Sequence, residues 1–333
     1  MVSGSLPEGK PDTLFLSEEV LNFELRSDFT AIRADTSEDP VFYDGRLIYY
    51  EPGGKTKKFD VKVRARGDFR RDPDICSFPP LMINFKKKEV RNTIFMGEDK
   101  LKLVTPCQKE EDVIEEYLIY RMYNLVTDLS LRVRLALIRY VDTSTGKELF
   151  EKHSFFIEDD DRLAERFTAS KYEHFLTPFD LDRENFMHMS VFQYLIGNKD
   201  WFISSRRNII LLQPKDTTLA MHVVPYDFDF ASLIDASYTK PRNVPEEYLS
   251  SRRVYKGLCY TSEEFKRTFD FFRELKFDFE SLFRNEDLVS KATRNRNLSY
   301  INEFYEIIED KELFRKSFLE VCETRRMYNL PEE

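Results

Sequence analysis

A chain of 333 residues with 30 Phe, 14% aromatic and 33% charged residues holds ample apolar material for one large or two smaller folded domains, which excludes a disordered polymer. A net charge of −9 offers nucleic acid no general attraction, so nucleic acid is not expected as a partner. No apolar run approaches the ~18–20 residues that cross a bilayer, and no signal-peptide apolar stretch opens the chain, so no integral membrane segment is expected.

Residues 1–13 read as a leader or disordered tail, which leaves two compartments open: cytoplasmic, or exported after removal of a signal peptide that this sequence does not carry. The four cysteines lack Cys-x-x-Cys and His-ligand spacing, which argues against zinc. Four free, mostly buried thiols are the favoured reading, with a Cys76–Cys107 pair as the alternative.

In chain order, a first strand pair is expected at 21–25 and 30–34, joined by a Ser27-Asp28 turn. Strands at 46–50 and 58–66 flank Pro52-Gly53-Gly54, where a hairpin turn is favoured over a phosphate-covering loop. Val61, Val63 and Ala65 alternate with Lys62, Arg64 and Arg66, the period of a half-buried strand. Arg66, Arg70 and Arg71 could supply charge to a phosphate, whereas Lys86-Lys87-Lys88 reads as a solvated turn after the strand 81–85. Leu101-Lys102-Leu103-Val104 sets Lys102 on the face opposite its apolar neighbours, and 110–127 carries a helical apolar stripe with Glu115 and Glu116 on its first turns. A strand lysine followed by a helix glutamate is the pairing that fixes nucleotide phosphates in kinase-like folds, with Lys86 the reserve for Lys102. Strands at 131–141 and 153–158 complete a mainly β first lobe, 14–160.

From 161 to 333 the pattern turns helical, marking a second lobe with helices at 161–167, 183–196, 262–275, 278–283, 286–294, 299–309 and 313–325. Thr261-Ser262-Glu263-Glu264 has the form of a capping box. His188 reads as a packed histidine, and Tyr238 to Val244 as an irregular loop able to meet an acceptor. Between the helices, Asp200 and Asn208 bracket a loop, strands at 209–212 and 219–224 pair, and Asp227 and Asp229 follow the second strand. One carboxylate to orient a hydroxyl, with an amide and a second carboxylate to hold Mg²⁺, is the residue set of phosphoryl transfer. Asp and Asn are also ordinary loop-capping residues, the competing structural reading.

Arg66-Gly67-Asp68, Lys102, the helix around Glu116, Gly197-Asn198-Lys199-Asp200 with Arg207-Asn208, and Pro225-Tyr226-Asp227-Phe228-Asp229 together resemble the bacterial spore-coat CotH kinase-like family and, more distantly, HipA-type kinases. The resemblance spans 66–229, about half the chain. It implies an α+β, two-lobed protein-kinase-like fold with an antiparallel-sheet N-lobe, one main helix and a mostly helical C-lobe. It implies Asp200 as catalytic base, Asn208 and Asp227 as magnesium ligands with Asp229 assisting, and Lys102, Glu116 and Arg66 as nucleotide-binding residues. The cofactors implied are ATP and Mg²⁺, and the acceptor is an unidentified hydroxyl, with a protein among the candidates. Asp200 and Asn208 stand eight positions apart, against about five in protein kinases, and Arg-Gly-Asp stands where the family has Arg-Gly-Asn. The expected activity is therefore an atypical kinase. The rivals are a pseudokinase or binding scaffold without turnover, nucleotidyl transfer by the same site, and a metal-dependent hydrolase using Asp200, Asp227 and Asp229.

Overall fold

The computed structural model describes residues 13–239 and 253–322. The chain divides into two compact units, one running to Tyr117 and resuming over Arg132–Arg162, the other taking Leu118–Leu131 and the chain from Leu163. Residues 1–12 of the expected leader, the loop beyond Thr239 and the end of the last expected helix lie outside the described residues.

The first unit contains β1 (Leu21–Ser27), β2 (Tyr43–Tyr50), β3 (Thr56–Ala65), β4 (Leu81–Phe85), β5 (Lys100–Val104), β6 (Val133–Asp142) and β7 (Glu148–Ile157). They form a closed barrel in the order β1-β2-β3-β4-β5-β7-β6. β1 and β6 run parallel, with Leu21 opposite Ala136 and Ser27 opposite Asp142, while the other seams are antiparallel. This overturns the two-lobed protein-kinase-like fold with an antiparallel-sheet N-lobe. The sheet closes on itself because β1 bonds along both edges, to β2 through a local connection and to β6 far along the chain; a parallel partner of that kind leaves no turn signature in the sequence.

Residues 30–34 form not a strand but part of a helix, α1 (Phe29–Ala34). Asp28 caps it, accepting from Ala31 N at 2.9 Å, and Phe29 and Ile32 turn inward. Inside the barrel, alternation places Phe59, Val61, Val63 and Ala65 of β3 and Leu81, Ile83 and Phe85 of β4 in the core. The fully buried Phe95, from the β4–β5 connection, plugs this interior, its ring 4.7 Å from Phe85, 5.5 Å from Phe59 and 5.6 Å from Phe23. Such stacked, edge and tilted contacts add to the burial itself.

None of the cysteines is free: Cys76 pairs with Cys107 and Cys259 with Cys322. Four free thiols are thus replaced by two disulfides. β4 runs antiparallel to β5 with Leu81 opposite Leu103, so the residues before β4 lie alongside those after β5, and Thr105 Oγ1 donates to Pro79 O at 2.8 Å just short of the Cys76–Cys107 bond.

Helix α2 (Glu110–Val126) leads from the first unit into the second, and α3 (Asp160–Arg166) precedes the sheet of the second, formed by β8 (Ala169–Lys171), β9 (Ile209–Pro214) and β10 (His222–Pro225) in the order β10-β9-β8. β8 is an addition to the expected hairpin. The second unit's helices are α4 (Arg183–Ile196), α5 (Ser262–Glu274), α6 (Lys276–Arg284), α7 (Lys291–Glu309) and α8 (Lys311–Phe314). One helix, α7, stands where two were expected at 286–294 and 299–309: Ser290 caps its start by accepting from Thr293 N at 3.2 Å, and residues 295–298 continue the helix without a break. Phe265, Phe269, Phe272, Phe304 and Phe318 form the aromatic core that these helices share. His188 belongs to the same packing, its ring stacked 4.8 Å from that of Phe271, and burial pushes its pKa down.

Glu264 ties two helix starts together. It completes the capping box with Thr261 and accepts from Arg183 at 2.6 Å, and that hydrogen bond leads the effects that pull its pKa from 4.5 to about 2. A folded-state pKa below the unfolded value gives stability that is present above pH ~4.5 and lost as pH falls towards ~2. Urea midpoints measured over this range are expected to fall more for the wild-type protein than for Glu264→Gln; parallel profiles would contradict the linkage.

Candidate active site

Helix α4 delivers the chain into the loop that carries Asp200. Gly197 ends the helix with φ 67°, a left-handed conformation that glycine adopts without a Cβ clash, and Asn198 N donates back to Gln193 O at 2.9 Å. The buried Asn198 then accepts from Asp200 N at 3.0 Å through Oδ1, an Asx-type turn that orients the aspartate backbone. Beyond it the loop closes into a tight ribbon in which Phe202 and Arg207 exchange backbone hydrogen bonds of 3.1 and 3.0 Å over the buried Trp201 and Ile203.

Asn208 returns onto Asp200. Its Nδ2 donates to the Asp200 carbonyl at 2.7 Å and to Oδ2 at 3.0 Å, which turns Oδ1 away without a hydrogen-bond partner among the described residues. Arg207 grips the same carboxylate through Nε to Oδ1 at 2.5 Å and Nη2 to Oδ2 at 3.0 Å. This hydrogen bonding pushes the Arg207 pKa up, with the Asp200 and Asp227 charges adding to it.

The hairpin register brings the third group in. Ile209 lies opposite Pro225, so Tyr226 N donates to the Asn208 carbonyl at 3.0 Å and Asp227 follows one position on. Asp227 is anchored by its backbone, N to Tyr120 Oη at 2.9 Å, and by Phe228, whose buried ring packs 4.7 Å from Tyr120 and 6.0 Å from Phe192. The Asp227 carboxylate itself makes no hydrogen bond or ion pair among the described residues. Asn208, Asp227 and Arg206 hold φ of 54°, 62° and 55°. Asn and Asp adopt this left-handed conformation more readily than other residues with a Cβ, so the cost of about 1–2 kcal/mol falls on Arg206.

Asp229, 4% exposed, accepts from Tyr238 Oη at 3.4 Å. Among the described residues no three His, Cys, Asp or Glu side chains gather as a metal site, so Asp200, Asp227 and Asp229 do not form a three-carboxylate cage. In the first unit, Lys102 Nζ lies 2.6 Å from Asp160, and Glu116, 2% exposed, lies 3.7 Å from Arg70. Pairing of Lys102 with Ile157 in the sheet carries the chain round to Asp160, a partner that only the register reveals. Arg66 follows the end of β3, its backbone N donating to Pro80 O at 2.8 Å and its buried Nε making no hydrogen bond among the described residues.

Sequence reasoning missed Tyr120 and Lys256. Tyr120 lies within the apolar α2 helix, and nothing in its spacing signals a hydrogen bond to a strand end. Comparison with protein-family models finds no match to this chain, and comparison with curated proteins finds none.

Proposed function

We propose that the loop and hairpin at 197–229 form a magnesium-dependent phosphotransferase site of the CotH-like kind, moving a phosphoryl group from ATP to an acceptor hydroxyl. What carries the reading is one observation: among the described residues, Asn208 Oδ1 and the Asp227 carboxylate are left unengaged at the same end of one hairpin, next to Asp200. Mg²⁺ takes hard oxygen ligands and retains waters and phosphates in its shell, so two protein oxygens suit it without a third carboxylate. When bound, the ion supplies charge neutralisation to the phosphates.

Asp200 would act on the acceptor. It takes the hydroxyl proton as the acceptor oxygen bonds to the γ-phosphorus; the bond from that phosphorus to the bridging oxygen breaks, and ADP leaves with the electron pair. Arg207 must release a carboxylate oxygen for this step. Its two-point grip on Asp200 favours a second reading, a nucleotide-binding scaffold held in a resting form. Because both disulfides persist only where thiols are not kept reduced, we place the activity in an oxidising compartment.

Titration calorimetry with Mg-ATP is expected to give binding heat with the wild-type protein and at least tenfold weaker binding with Asp227→Ala; equal heats, or none in either, would end the assignment. Mass spectrometry after incubation separates an added phosphate from an added AMP, and so kinase from nucleotidyl transfer. Nucleotide binding without any product supports the scaffold.

A further inference from the structure

We infer that Lys256 is the positioning residue for Asp200, an inference that rests on the phosphotransferase reading above. Lys256 is only 9% exposed, and its ammonium donates to the backbone carbonyls of Lys199, at 3.2 Å, and Trp201. These are the two residues on either side of Asp200. The same ammonium sits 3.5 Å from the centre of the Phe202 ring and 4.9 Å from that of Trp201. A lysine is almost never buried to this degree unless it is paired, since removing an ammonium from water is strongly unfavourable. Here carbonyl dipoles and aromatic faces compensate it, and all of them belong to the loop that presents the candidate base.

The segment bearing Lys256 is itself fixed. Arg253 Nε donates to Leu195 O at 3.3 Å and its guanidinium lies 3.6 Å over the Tyr300 ring, while Tyr255 Oη donates to Leu258 O at 3.0 Å. Gly257 is so closely packed that a Cβ there would come within 2.6 Å of Ser190 Cβ. Cys259, two positions on, is bonded to Cys322. The ammonium is thus held from behind by a pinned backbone and in turn holds both peptide groups flanking Asp200. Its effect falls on the orientation of the carboxylate, which Arg207 and Asn208 then complete. A misplacement of about 1 Å in such a group can lower turnover about 10²-fold without touching the nucleotide site.

Lys256→Met keeps most of the stem and removes the charge. With Mg-ATP turnover read as inorganic phosphate released or phosphate added to the protein, this variant is expected to lose 10- to 100-fold in kcat. The KM for Mg-ATP should stay within about twofold, the split expected of a residue that acts through the base and not on the nucleotide. Should Lys256→Met not fold, Phe202→Leu carries the test: Phe202 is exposed, and loss of its ring is expected to lower kcat several-fold at unchanged KM. Turnover that Asp200→Asn abolishes but neither Lys256→Met nor Phe202→Leu alters overturns this inference alone. A wild-type protein without turnover, indistinguishable from Asp200→Asn, overturns the phosphotransferase reading and this inference with it.

Discussion

Asp200→Asn is expected to lower Mg-ATP turnover by about 10²–10⁴-fold while leaving nucleotide affinity nearly unchanged, the effect of deleting a general base and sparing the metal ligands. The substitution is close to isosteric. The Asp200 carbonyl remains available to Asn208 Nδ2 and the backbone N to Asn198, so the loop keeps its 2.7 and 3.0 Å backbone anchors. What disappears is the charge that Arg207 grips and the oxygen able to take a proton. The ion pair with Arg207 is exposed on the arginine side, and pairs of that kind contribute little to stability, so the folded protein should persist. Single-turnover measurement and calorimetry on the same preparation decide the matter: wild-type turnover in Asp200→Asn removes the base assignment, and a parallel loss of ATP affinity moves Asp200 into the binding site.

The other large effect concerns the covalent links. Cys259 and Cys322 are 63 positions apart and Cys76 and Cys107 are 31 apart. By loop-closure entropy each bond constrains the unfolded chain by about 4 kcal/mol, a substantial part of the ~5–15 kcal/mol that stabilises a typical domain. Replacing Cys259 and Cys322 together by Ser is therefore expected to lower the denaturation midpoint sharply and, through the segment that carries Lys256, to loosen the Asp200 loop first. Hydrogen exchange at 199–208 reads that second effect. An unchanged midpoint with no thiol reactive in the untreated wild-type protein would contradict the stabilisation; thiols reactive before reduction would contradict the pairing itself.

Much of the local structure was legible because short-range patterns determine it. The alternation through Val61, Val63 and Ala65 marks β3, the apolar stripe marks α2, and Thr261 with Glu264 announces the start of α5. The layout of the candidate loop was legible for a related reason: Asn208 meets Asp200 across one loop, and its carbonyl meets Tyr226 N across one hairpin, all within thirty residues of sequence. What escaped depends on partners distant in sequence. No residue near Leu21 reports that Ala136 will lie beside it, and without that pairing the closed barrel reads as an open sheet. Residues 30–34 looked like a strand because their apolar residues fit either period, and the Asp28 cap decided for the helix. The disulfides and Lys256 fall in the same class, since Cys259 meets Cys322 and Lys256 meets Trp201 only after the chain has folded back.

The parallel seam between β1 and β6 also sets a timetable for synthesis. β1 leaves the ribosome well before the strand that covers its second edge, which is made only after α2, and β5 waits for β7 in the same way. Until then two strand borders stand open on the nascent polypeptide, each a template for pairing with a neighbouring chain. Truncation after α2 would make that exposure permanent, so forms that stop there should aggregate more readily than a chain that carries β6 and β7.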